Sequence, residues 1–408
     1  MSRRLAALFA VLCIATLLIH SRSALAQAEQ APDPYALEVH AFVSQGFLVT
    51  TDNNYLAESS QGSFELSEVG INFTKPLTDD LRVGIQLFAR DLGPIGNYDA
   101  QLDWFYVDYR WADWLGFRAG RVKLPFGLYN EINDVDSART FVLLPQSIYP
   151  IEQRDFLLAQ TGAEIYGYVD LKGAGAIDYR LYGGTIFLDP DLAVAEPGSP
   201  IQLSDISIPY VAGARVLWET PLSGLRVGGS LQFLQLDIDL TADPMVAAAL
   251  QAAGKLPADF DGTIETELPV FLWVGSIEYV VNDLLVAAEY SRWHAELESS
   301  APAIVAEDNE VSERMYVMAA YRLTPWLQPG AYYALYFEDT RDRDRRSTRQ
   351  HDTALTLRFD INEHWLVKLE GHYMHGTAAL NSRLNDGVSP TQLEPDWLVF
   401  ITKTTAYF

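Results

Sequence analysis

Cysteine is almost absent: of 408 residues, only Cys13 carries a thiol. A disulfide scaffold is therefore excluded. Cys13 also falls inside an expected export signal, which leaves the mature chain with no thiol nucleophile. Long apolar runs are missing too. After Ile19 no uninterrupted stretch approaches the roughly 18–20 residues that a helix needs to cross a bilayer. Basic residues are scarce. Once residues 1–26 are removed, 26 Lys and Arg stand against 54 Asp and Glu, a net charge of −28. That balance argues against nucleic acid as a partner, because a phosphate backbone calls for Lys and Arg.

The export signal is read from Arg3 and Arg4, the apolar run 5–19 and the small residues that end at Ala26. Residues 27–38 then form a short periplasmic segment, too short for a plug domain ahead of the first strand. What the chain has in abundance is apolar: 49% of residues are hydrophobic and 12% aromatic. With helices ruled out, a membrane protein of this composition must be a closed β-barrel, since every backbone N–H and C=O has to be paired within lipid.

The patterning has period two. "LRVGIQLFAR" from Leu81 sets Leu81, Val83, Ile85 and Leu87 against Arg82, Gly84, Gln86 and Arg90. "LRVGGSLQF" from Leu225 and "ALTLRFDI" from Ala354 repeat the alternation, which is a strand signal rather than a helical one. Short turns are expected at 75–80, 111–114, 172–176, 221–224, 281–283, 324–325 and 361–364. Longer loops are expected at 51–62, 91–100, 125–159, 189–207, 239–265, 299–310, 339–350 and 378–395. Seven turns alternating with eight loops require 16 antiparallel strands within 39–408, an all-β transmembrane barrel with short periplasmic turns and longer extracellular loops.

Trp111, Trp114, Trp218, Tyr321, Trp326 and Trp365 flank the short turns, where amphipathic rings favour the membrane–water interface. A cation on the lipid face near the midplane costs roughly 2–4 kcal/mol. Arg82, Arg226, Arg322, Arg358 and Lys368 are therefore assigned to the interior, where a barrel of this width encloses water that hydrates them. Leu398, Phe400, Ala406 and Phe408 fall on the outward face of the last strand, which must pair with 39–50 to close the barrel. A terminal aromatic also resembles the recognition signal of bacterial outer-membrane proteins.

Within about residues 40–170, "GSFELSEVGINF", "LRVGIQLFARDLG", "GRVKLPFGLYNE" and "LLPQSIYP" resemble the Gram-negative porins, nearest to the phosphate-selective porin (porin O and P) family. The most specific stretch is G-x-x-K-x-P-F-G at 120–127. The resemblance implies a homotrimer, one pore per subunit and a third loop folded into each pore; that loop is 125–159. Anion specificity in the family rests on loop lysines and an arginine ladder on the wall. Here the loop has no lysine but carries Glu131, Asp134, Asp136, Arg139 and Arg154, with Lys123 just before it. Arg82, Arg90, Arg110 and Arg118 form a partial ladder. Acidic loop residues facing wall arginines, with Arg226 and Arg358 among the lining, would set a transverse field across an eyelet.

Other features are expected to be structural. "RDRDRRSTR" at 341–349 is a solvated loop, with collection of anions at the outer mouth or contact with lipopolysaccharide phosphates as the alternatives, "EDNE" at 307–310 is its acidic counterpart, and 244–254 is a short helix. His372 and His375 lie three apart on a strand, so they point to opposite faces and cannot share a metal. No triad spacing stands out, and neither an enzyme nor a cofactor is expected. The reading is an outer-membrane porin for passive diffusion of small hydrophilic solutes, leaning towards anions. A channel selective for phosphate, another small anion or an apolar nutrient is the alternative, followed by a surface enzyme or adhesin with a filled lumen.

Overall fold

The computed structural model describes residues 33–188 and 201–408. The export signal 1–26 and residues 27–32 of the segment 27–38 lie outside the described residues. The strands are β1 (Glu38–Thr50), β2 (Leu66–Pro76), β3 (Leu81–Leu92), β4 (Gln101–Ala112), β5 (Leu115–Lys123), β6 (Ala159–Asp170), β7 (Ala176–Ile186) and β8 (Ile201–Glu219). The second half adds β9 (Leu225–Ala242), β10 (Thr263–Val281), β11 (Leu284–Ser299), β12 (Asp308–Tyr321), β13 (Leu327–Phe337), β14 (Arg349–Asn362), β15 (Trp365–Gly376) and β16 (Asp396–Tyr407). Each pairs antiparallel with its neighbours in sequence, and β16 closes on β1, with Phe42 opposite Tyr407 and Thr50 opposite Val399. Beyond β16, the Phe408 backbone exchanges two hydrogen bonds with Ala41, which completes the seam. The ladder thus closes around the whole circumference, as lipid demands.

The alternation sorts the side chains as the barrel requires. On β14, Leu355 and Leu357 face outward while Ala354, Thr356 and Arg358 are buried on the other face. The six aromatics beside the short turns are all exposed, forming a girdle at that rim. Replacing Leu355 with Arg near mid-strand is expected to cost roughly 2–4 kcal/mol, read from urea titrations of folding into liposomes. Thr353→Arg, closer to the extracellular rim, should cost less, because the penalty falls towards the interface.

The seven short turns fall where expected, but the wall is uneven. Strands β8 to β10 run 18–19 residues and β11 16, against 9–14 elsewhere. Parts of the expected loops 189–207 and 239–265 are therefore strand. Above the membrane both faces of a strand can be wet, so outward Asp239 and Glu265 read as loop although they sit in register on β9 and β10. Between these two strands lies the helix Pro244–Ala252, capped by Asp243, whose carboxylate accepts from the Met245 and Val246 amides. Its Ala247 packs with Leu256, Ile264 and Ala301.

Candidate functional site

The connection between β5 and β6, residues 124–158, turns into the barrel, where its side chains pack against inward residues on several parts of the wall. Lys123 and Ala159 are cross-strand partners, so the whole segment is an excursion from one closed ladder. Its first bend needs Gly127. This residue has φ +60°, and a Cβ there would lie 2.4 Å from Tyr149 Oη and 2.9 Å from Glu289 Oε1. The bend delivers the Leu128 amide to Glu289 Oε1 at 3.0 Å and to Tyr149 Oη at 2.9 Å. Tyr149 Oη itself donates to Glu289 Oε2. Phe126, Tyr129, Phe141, Leu144, Ile148 and Tyr149 then bury against inward residues of β10 to β14, including Leu272, Val274, Tyr316 and Tyr332.

Ion pairs pin the same segment to the rest of the wall. Asp136 is a buried anchor. Lys368 Nζ lies 2.9 Å away, Arg139 Nη2 3.5 Å and Lys403 Nζ 3.6 Å, and Thr405 Oγ1 donates at 2.7 Å. Asp134 receives Lys123 Nζ at 2.5 Å and Gln86 Nε2 at 3.0 Å, with Arg154 Nη2 at 3.8 Å. Arg154 also meets Asp103 at 2.7 Å and lies over the Phe88 ring. Glu131 holds Arg180 and Arg215, both at 2.8 Å. Arg90 donates to the Ile151 carbonyl at 3.1 Å, and Arg358 to the carbonyls of Ser137 and Arg139 at 2.8 and 3.0 Å.

This arrangement corrects one expectation. Arg358 and Lys368 do point into the lumen, but they are not hydrated there: Lys368 is 0% exposed, covered by the third loop. A 16-stranded barrel is wide enough for water only where nothing fills it, and here the loop 124–158 does. Loop carboxylates touch the wall cations directly rather than facing them across a gap.

Nearer the periplasmic ends of the strands the lumen is open. Arg82 pairs with Asp108 at 2.7 Å, Arg226 with Glu278 at 2.5 Å and Arg322 with Asp360 at 2.8 Å. The arginine side chains are 49%, 38% and 35% exposed, whereas the acids are 2%, 5% and 17% exposed. Water on this side therefore meets guanidinium in front of carboxylate. Arg118 bridges Asp108 and Glu164 deeper in the wall. Arg110 stands exposed beside the turn at 75–80 and joins none of the ion pairs among the described residues.

The carboxylates that complete these pairs, Glu68, Asp103, Asp108, Glu164 and Glu278, and Glu289 and Glu370, which hold the loop by hydrogen bonds, are not among the residues noted in the sequence. Nor are Arg180, Arg215 and Lys403. Their signal was the inward parity they share with the arginines noted there.

His372 lies inward, with Nδ1 2.9 Å from Asp352 and Nε2 3.2 Å from Glu370. Glu370 in turn accepts the Val142 and Leu143 amides at 2.7 and 2.8 Å, making another loop anchor. His375 faces outward and meets Asp396 at 2.7 Å. The basic run is largely neutralised within its own surface: Arg341 pairs with Asp308 and Asp339, Arg343 with Glu313 and Arg345 with Asp342.

The loop's acids titrate abnormally. Burial alone would raise the Asp134 carboxyl, but Lys123 and Arg154 outweigh it and hold its pKa at about 2. For Asp136, burial is again overcome, by Lys368, Lys403 and Arg139, and its pKa falls further. Arg180 and Arg215 hold Glu131 down against burial in the same way. Groups with depressed folded values contribute docking stability that is fully present above the ordinary carboxylate range and is lost as pH falls through the folded value. Glu152, which burial raises, titrates in the opposite sense. The third loop should thus stay docked from neutral pH down through pH 4 and loosen only as pH approaches about 2 for Asp134. Proteolysis of the folded barrel with an acid-active protease, from pH 5 to pH 2, measures this.

Solved structures share the architecture. OmpT of Vibrio cholerae matches with a TM-score of 0.55 at 12% identity, covering 93% of this chain and 99% of that one. The fold is that of the outer-membrane porins. Salmonella typhi OmpF in complex with daunomycin gives 0.56 at 13% identity over 93% and 100% of the two chains. The anion-selective porin from Comamonas acidovorans gives 0.54 at 10% over 91% and 99%. No protein-family model matches the sequence, and no curated protein does.

Proposed function

We propose that this chain, exported by its 1–26 signal, forms a channel in the Gram-negative outer membrane that passes small hydrophilic solutes by diffusion, with the third loop as its restriction. The observation that carries this is the closed barrel with apolar residues outside and charged residues inside. Arg82, Arg226 and Arg322 stand partly exposed on the inner face, and such charges call for water in the lumen.

Guanidinium exposed ahead of carboxylate on the periplasmic side favours anions. The loop's many anchors favour a second reading, a channel selective for one class of anion such as phosphate, in which the solute must shift the loop. A homotrimer embedded among lipid and lipopolysaccharide belongs to the same proposal, as does the absence of any chemistry on the solute. Purified protein in planar bilayers should give stepwise conductance, with a reversal potential in asymmetric KCl displaced towards that of chloride. A displacement towards potassium would remove the anion preference.

A further inference from the structure

Cross-strand partners on one sheet face normally avoid like charge, because directly opposite like charges are destabilising. Arg180 on β7 and Arg215 on β8 break that rule: they are paired in register and both point inward. Arg118, opposite Glu164 on β6, stands beside them. The group that bridges the two opposed arginines comes from neither strand. The Glu131 carboxylate of the third loop puts one oxygen on Arg180 Nη1 and the other on Arg215 Nη1, each at 2.8 Å.

The wall around it supplies charges that balance only with this visitor. Arg82, Arg118, Arg180 and Arg215 face Asp108, Glu164 and Asp178, and Glu131 makes the fourth anion. The Nε atoms of Arg118, Arg180 and Arg215 are all buried without a hydrogen-bond partner, so the guanidinium groups keep unused donors. The seat is not sealed: the Glu131 side chain is 24% exposed and that of Asp178 32%.

From this geometry we infer that Arg180 and Arg215, backed by Arg118, form a binding seat for a solute carboxylate, and that Glu131 is its built-in occupant. A small organic carboxylate entering the lumen competes with Glu131 for the same two guanidinium groups. Displacing Glu131 also removes one of the loop's anchors, so occupancy and loop release are linked. With Glu131 gone the two guanidinium groups, and a surplus of one positive charge, face the place its two carboxylate oxygens filled, which suits one carboxylate end of a small organic acid. This rests on the channel reading above and gives it a solute class.

The test compares wild type with Glu131→Gln in planar bilayers, with succinate added on the periplasmic side and uncharged succinamide as control. Glu131→Gln should be blocked at an about tenfold lower succinate concentration than wild type, the loss of one competing contact. Succinamide should affect neither, and Glu131→Gln/Arg215→Gln should lose the block. Glu131→Asp keeps the charge but withdraws it from the seat; it is the second variant should Glu131→Gln not fold, and it shifts the sensitivity in the same direction. Equal succinate sensitivity in a conducting wild type and these variants overturns the seat alone, as does a block that survives loss of Arg215. A silent wild type overturns the channel reading, and the seat with it.

Discussion

Excising residues 126–156 and joining the ends through a short glycine-rich turn should raise single-channel conductance several-fold while leaving a folded barrel. The barrel does not need the segment for its ladder: β5 and β6 pair from Gly116 opposite Tyr166 to Lys123 opposite Ala159, and the Leu124 amide still reaches the Leu158 carbonyl. What the deletion removes is the material that narrows the path for water. Emptied, a lumen of this strand number is an aqueous channel. Lys368, Arg358 and Glu370 would exchange loop partners for water, which suits charged groups better than a half-satisfied interior. Unchanged conductance in a folded deletion variant would mean that the loop is not the restriction.

The second large effect concerns one side chain. Asp136→Asn removes the only charge that Lys368 meets among its described ion pairs, in a site where both are buried. Breaking a buried pair by removing one partner costs about 3–5 kcal/mol. Lys403 retains Glu68 at 2.5 Å, and the amide oxygen that replaces the carboxylate could still accept from Thr405, which places the cost near the lower end. A loss of about 3 kcal/mol raises the population of undocked loop roughly a hundredfold. Limited proteolysis of the folded barrel at neutral pH should therefore cleave 124–158 roughly a hundredfold faster in the variant while that opening remains rare. The barrel strands should resist as before, because Asp136 belongs to none of them. Cleavage at the wild-type rate would show that the hydrophobic packing of Phe141 and Tyr149 suffices to hold the loop.

The wall was far more legible in the sequence than what fills it. Alternation at Leu81, Leu225 and Ala354 fixes which face is oily, and each short turn announces itself by a break in that rhythm. The tall strands were misjudged where Asp239 and Glu265 interrupt it, because a strand clear of the membrane has no oily face to reveal. The third loop was legible as a long irregular stretch with acids, but its path was not. Periodicity says that Lys368 points inward; it cannot say that Asp136, 232 positions earlier, meets it there. Nor does the pattern show that Glu131 bridges Arg180 and Arg215, since that contact is set by a bend at Gly127 and by apolar packing two strands further round the barrel. Carboxylates such as Asp108 and Glu278 were readable in principle, for they share the inward parity of Arg118 and Arg226.

The central claim is that solutes cross inside this wall and that the third loop limits their size. Swelling of proteoliposomes containing the purified wild-type chain tests it most directly. In isosmotic arabinose they should swell faster than empty liposomes, more slowly in a disaccharide, and not at all in a larger oligosaccharide. Folded barrel in the vesicles with no swelling in arabinose would contradict it.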